Sequence, residues 1–203
     1  MIPIDKIYIN DIFNLGKHEG LTAVICGSAP CLFQSYKKVQ SNISNFVTIG
    51  INEAIHAIYC DKLVTAHPEN IEYFVSKSIN KDIETHTTKG YYKDWSNKAD
   101  YFWTDIKKGA TSGIDAVQVA RKMGFKKIIL CGMPMTGKDG YFHTKKAPEN
   151  TEGCPRFGNK ENHDLVARHQ AKLRDIVKDE DFSNVSSLNG FTAKVFGETI
   201  FKD

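Results

Sequence analysis

Apolar positions along the chain gather into short, dense runs. "TAVIC" (22–26), "FVTIGI" (46–51), "KLVTA" (62–66), "DYFWT" (100–104) and "KKIILC" (126–131) are apolar or β-branched and bounded by turn residues. Several are continuous rather than alternating, which predicts strands buried on both faces. "IETHTT" (83–88) is a weaker strand candidate and "NVSSL" (184–188) a late one.

Helical periods fall between the strands. "PCLFQSYKKVQ" opens on a proline, expected at the first helical position. "TSGIDAVQVARKMG" sets Ile114, Val117, Val119, Ala120 and Met123 largely on one face and stops at Gly124, a suitable C-cap. From Lys160 to Lys178 a stripe of Leu165, Val166, His169, Leu173, Ile176 and Val177 predicts a long helix. Strands alternating with helices predict an α/β, Rossmann-like, doubly wound and mainly parallel sheet with helices on both faces. One domain over residues 1–203 is expected, with 137–159 as a lid-like or flexible loop.

Composition narrows the function classes. Of 203 residues 41% are hydrophobic, and the formal charge of +3 comes from basic pairs such as Lys37-Lys38, Lys107-Lys108 and Lys145-Lys146 that form no stripe. No nucleic-acid partner is therefore expected. The five cysteines, Cys26, Cys31, Cys60, Cys131 and Cys154, include no C-x-x-C, so reduced thiols in a cytoplasmic protein are expected. The N-terminus has no signal-peptide pattern, and no apolar run approaches a membrane span.

The stretch "IILCGMPMTGKDG" (128–140) approaches a phosphate loop but fails it. Asp139 stands where a magnesium-binding hydroxyl belongs, and "DGYFHTKKAPEN" has turn residues instead of a helix. A better site lies beyond the strand ends, where doubly wound sheets bind ligands. Gly27, Ser28 and Ala29 form a small-residue turn after the first run, and Thr111, Ser112 and Gly113 open the helix after the fourth. The first turn is either a tight β–α connection or a place where phosphate or sugar meets the backbone. The second is either a plain N-cap or a hydroxyl pair for ribose or phosphate. Asn52 and Glu53 follow the second run, and His67, Pro68, Glu69 and Asn70 the third. These cap their turns, or read a base edge, hold phosphate and move protons.

Among the histidines, His169 belongs to an apolar stripe and reads as core. His18 and His56 read as surface or turn residues, and His86 as the end of the weaker strand. His67, His143 and then His163 are the functional candidates. The aromatic cluster Tyr91, Tyr92, Trp95, Tyr101, Phe102 and Trp103 is mostly core, with base stacking by Tyr91 or Trp95 as an alternative.

"VICGSAPCL", "GINEAI", "AHPENI" and "TSGIDAVQVARKMGFKKIILCGMPM" resemble the bacterial lipooligosaccharide sialyltransferases and the related 6-hydroxymethylpterin diphosphokinase group. The similarity covers about 22–70 and 109–141, half the chain, and the block from Thr111 to Gly132 is its most specific part. Endings like "NVSSLNGFTAKVFG" look like small phage-encoded relatives. The resemblance implies a metal-free crevice for a cytidine monophosphate sugar, with no cofactor beyond the nucleotide itself. It implies Gly27, Ser28 and Ala29 near phosphate and sugar, Asn52 and Glu53 on the nucleotide, and His67 in place of a family asparagine. Thr111, Ser112 and Gly113 would hold ribose, base or carboxylate, with Gly132 and Met133 closing the matched block. Tyr141 resembles a tyrosine that bonds the departing phosphate. The family's catalytic histidine falls at Asn159, so His143 or His163 would take that role. Homo-oligomers are common among such relatives. The chain itself carries no D-x-D, H-E-x-x-H or Cys/His cluster with ligand spacing.

Three functions follow from these residues. They are metal-independent transfer from a sugar nucleotide, non-catalytic capture of a nucleotide or nucleotide-derived signal, and pyrophosphoryl transfer of the pterin type.

Overall fold

The computed structural model describes residues 8–9, 18–88, 98–103, 106, 111–136 and 160–201, with the side chains of 8–9 and 160–165 left out. Tyr91, Trp95, Tyr141, His143 and the expected loop at 137–159 lie outside the described residues. Of His163 only the backbone position, within a helix, is described.

Eight strands form one sheet: β1 (Tyr8–Ile9), β2 (Thr22–Cys26), β3 (Val47–Ile51), β4 (Lys62–Thr65), β5 (Glu84–Thr88), β6 (Tyr101–Trp103), β7 (Lys127–Cys131) and β8 (Val185–Ser187). Their order is β1-β6-β5-β4-β3-β2-β7-β8, and every neighbouring pair is parallel. The chain therefore steps outward from β2 to β6, then returns to lay β7 on the other flank of β2. That reversal is the switch point of a doubly wound sheet, and ligands bind beyond the strand ends there.

Helices cover both faces. Helices α1 (Leu32–Asn42) and α2 (Ile71–Lys77) lie on one face, and α3 (Ser112–Lys122) and α4 (Lys160–Asp179) on the other. A short α5 (Gly190–Phe196) follows β8 on the α3 side. In β2, Val24 and Cys26 pack with Leu32 and Val39 of α1, while Ala23 and Ile25 pack with α3. This is the period-two alternation of a strand with two buried faces. The apolar runs read from the sequence are these strands, to within two residues at any end.

Three local expectations change. Pro30 lies before the N-cap Cys31, so α1 starts at Leu32 and the proline belongs to the turn. The weaker strand candidate is a fully formed interior strand, with four of its five residues buried. His86 sits at its middle, 0% exposed, and not at its end.

Strand β5 is polar because each side chain has a partner. Thr85 Oγ1 donates to Asp100 Oδ2 at 2.8 Å, Thr87 Oγ1 donates to Thr65 O at 2.9 Å, and Thr88 Oγ1 donates to Asp115 Oδ2 at 2.8 Å. Glu84 and His86 are bonded to each other at 2.7 Å. Buried polar groups are tolerated when so paired, and a hydrophobic count does not register the pairing.

Candidate functional site

All the main strands exit at one edge, and the connections there carry the expected site residues. The β2–α1 turn is stitched to β7: Gly27 N donates to Cys131 O at 2.9 Å and Ala29 N to Gly132 O at 3.1 Å. Two of this turn's three backbone N–H groups are thus committed to the sheet. Ser28 is 6% exposed, and no hydrogen bond engages its hydroxyl among the described residues. Gly132, at φ +65°, has no room for a side chain, since a Cβ would lie 2.8 Å from Gly27 O and 2.9 Å from Leu32 Cβ. Its role is this tight crossing of β2 and β7. Residues 133–136 have no regular secondary structure, and the remainder of the near phosphate loop, from residue 137, lies outside the described residues.

Thr111 and Ser112 open α3 at the same edge. Thr111 is the N-cap, its Oγ1 accepting from Ile114 N at 3.3 Å. Ser112 Oγ accepts from Ala66 N at 3.0 Å, which pins the start of α3 to the end of β4. Both hydroxyl oxygens thus act as internal acceptors, while their protons remain uncommitted among the described residues. Within the matched turns, Met133 is the shared neighbour. A Cβ on Gly27 would stand 2.4 Å from Met133 Cγ, and one on Gly113 2.3 Å from Met133 Cε. The two glycines admit one thioether chain between the β2–α1 turn and the head of α3. So the two turns read separately from the sequence meet across Met133.

Thr65 organises the centre of the edge. Its Oγ1 accepts from His67 N at 3.0 Å, so its single proton goes to Asn52 Oδ1 at 2.7 Å. The Asn52 amide is thereby oriented, with no described residue taking its Nδ2 protons. Asn52 has φ +50°, a left-handed conformation that asparagine adopts more readily than most residues. Glu53 follows it in the short 3-10 turn of residues 52–56 and is half-buried.

His67 begins the next turn. Pro68 restricts the backbone after it, and Asn70 N donates to His67 O at 3.0 Å. Its Nδ1 lies 3.1 Å from Glu69 Oε1, and the two side chains are 41% and 32% exposed. A carboxylate only accepts, so Nδ1 carries the proton and Nε2 presents its lone pair. Glu69 Oε2, by contrast, is buried with no partner among the described residues. Such a group costs about 1–3 kcal/mol and calls for an explanation.

The far flank is braced by α5. Thr192 Oγ1 donates to Met133 O at 2.7 Å, Phe191 N donates to Pro134 O at 2.7 Å, and Gln170 Nε2 of α4 donates to Met135 O at 2.6 Å. A groove of about 520 Å³ lies along the outer side of α1, lined by polar residues such as Ser35, Lys38 and Asn189. None of the expected nucleotide-binding residues lines it. Burial pushes the Cys26 and Cys60 thiols up, which makes them packing groups and not nucleophiles.

Gly27, Ser28, Ala29, Asn52, Glu53, His67, Thr111, Ser112, Gly113, Gly132 and Met133 therefore share the carboxyl edge. Sequence reasoning missed Thr65, which counted only as a β-branched strand residue, and the bracing by Thr192. The available signal was a hydroxyl at the last position of an apolar strand. No known protein family matches the chain, and no curated protein matches it. No described helix is long and apolar enough to cross a membrane.

Proposed function

We propose that the carboxyl edge binds a sugar nucleotide, of the cytidine monophosphate type, and transfers its sugar to an acceptor hydroxyl. One observation carries this: the two hydroxyl-bearing turns meet across Met133 beside Asn52, with their uncommitted groups all hydrogen-bond donors. A strip of O–H and N–H groups suits an acceptor-rich anion such as a phosphate diester. The first turn of α3 adds the positive end of a helix 11 residues long. In transfer, the sugar–oxygen bond to phosphate breaks and its electron pair goes to the phosphate. Donors aimed at that oxygen stabilise the charge as it grows. Tyr141, as the group bonding the departing phosphate, extends this reading to a residue named by resemblance.

The test is incubation with CMP-, UDP- and GDP-sugars, following released nucleotide by chromatography, alongside thermal melts with the free nucleotides. The expected result is release from one donor, unaffected by EDTA, and a rise in melting temperature with its nucleotide, since a ligand of the native state alone stabilises it. Stabilisation with full recovery of intact donor would replace transfer by capture. Neither stabilisation nor release, in a folded protein, would overturn the site itself.

A further inference from the structure

We propose that His67 is the proton-accepting catalytic residue of this crevice and that Glu69 is its positioning residue; this rests on the transfer reading above. Several observations converge. His67 is the second residue after β4, and its backbone N–H is held by Thr65 Oγ1, the same oxygen whose proton orients Asn52. One residue earlier, Ala66 N is bonded to Ser112 Oγ of α3. The backbone that carries the imidazole is therefore tied through two hydroxyls to the groups that would grip the nucleotide. Within its own turn, Glu69 Oε1 takes the Nδ1 proton at 3.1 Å, which fixes the tautomer and leaves Nε2 as a lone pair. No described residue engages Nε2, and the side chain is 41% exposed. A carboxylate fixing one imidazole nitrogen so that the other can take a proton is the arrangement general-base chemistry needs.

Glu69 has a cost that packing alone does not explain. Its Oε2 is buried and unpartnered among the described residues, although the side chain as a whole reaches solvent. A carboxylate placed only to cap a turn would turn that oxygen outward. Held in this way, Glu69 fixes the ring from the Nδ1 side and leaves Nε2 without a described partner.

The step balances. His67 Nε2 takes the proton of an acceptor alcohol, or of water, as that oxygen bonds to the anomeric carbon. The bond from that carbon to the phosphate oxygen breaks, and the electron pair leaves with the nucleotide, a monophosphate from a CMP-sugar and a diphosphate from a UDP- or GDP-sugar. The acceptor so defined is a hydroxyl group, that of an alcohol or of water.

Water serves as the acceptor in the test, with whichever CMP-, UDP- or GDP-sugar the full-length wild type consumes. Variants His67→Ala, His67→Gln and Glu69→Gln are compared, with melting temperatures as the folding control. Loss of a general base typically removes about 10²–10⁴ of rate. Both His67 variants should lose about 100-fold or more in kcat with donor KM within about threefold, and added imidazole should restore part of the His67→Ala rate. Glu69→Gln should lose about tenfold in kcat alone, without imidazole recovery. The assignment is overturned if either His67 variant keeps wild-type kcat, if the loss appears in KM, or if imidazole restores nothing. A wild type that consumes no donor overturns the transfer reading, and this assignment with it. A wild type that consumes donor no faster than His67→Ala overturns the assignment alone.

Discussion

Two histidine–glutamate pairs occur on neighbouring strands, His67 just beyond β4 and His86 within β5, each pair two residues apart in sequence: His67 with Glu69 at 3.1 Å, and His86 with Glu84 at 2.7 Å. Their chemistry is the same and their circumstances are opposite. His86 is fully buried inside β5, stacked on Tyr101 with ring centroids 4.7 Å apart. Trp103 Nε1 donates to its Nδ1 at 3.1 Å, so its proton sits on Nε2 and goes to Glu84. Lys62, with a side chain 8% exposed, bonds to the same Glu84 oxygen. Both ring nitrogens of His86 are spent, and burial holds its imidazole below the ordinary range against the raising pull of Glu84. Burial pushes the Glu84 carboxyl up, but hydrogen bonds from His86 and Lys62 outweigh it and bring it down to about 2. At His67 one nitrogen is spent, the other has no partner among the described residues, and the side chain is 41% exposed. A histidine–carboxylate pair is thus a structural device or a chemical one according to how many of its atoms the fold has already used.

The contrast can be broken most forcefully at Glu84. Glu84→Ala would leave the Lys62 ammonium and the His86 Nε2 proton without their acceptor, and should cost about 3 kcal/mol of stability in urea unfolding. A loss under about 1 kcal/mol would mean that the buried network is slack and the comparison wrong.

Acid titration should give the next largest effect. The folded Glu84 carboxyl lies at about 2 against 4.5 for its ordinary value, so the unfolded chain binds the proton first. Its contribution is complete above about pH 4.5 and is lost as pH falls towards 2, about 2 kcal/mol with solvent screening allowed for. His86 has the same sign, because its folded pKa is also lowered: stability present above its ordinary value of 6.5 falls away as pH drops below it. Melting temperature should therefore decline on acidification from near pH 6.5, and the upper part of that decline should vanish in His86→Gln. An unchanged decline in the variant would remove His86 from the account.

The smallest effect should come from His67→Ala, within about 0.5 kcal/mol of wild type, as is usual for exposed positions. A destabilisation as large as that of Glu84→Ala would make His67 a second structural histidine and dissolve the contrast.

The strand-forming runs, the N-cap at Thr111 and the C-terminal stop at Gly124, with φ +83°, were legible in the sequence because each depends on near neighbours. Apolar density marked β2, β3, β4, β6 and β7, and the alternation with helices led to the parallel doubly wound sheet. The small-residue and polar turns that line the carboxyl edge were legible as separate turns. Their meeting across Met133 was not, because it depends on the strand order that sets β7 beside β2 and the head of α3 over the end of β4. Strand β5 was the faintest, since a run of Glu, Thr and His becomes core only when Lys62, Asp100, Trp103 and Asp115 arrive from distant parts of the chain to complete its hydrogen bonds. Local pattern determined which segments are strands and helices and where their turns fall. Tertiary structure alone decided which of two like histidines is sealed and which is open, because burial and hydrogen-bond partners belong to neighbours in space and not in sequence.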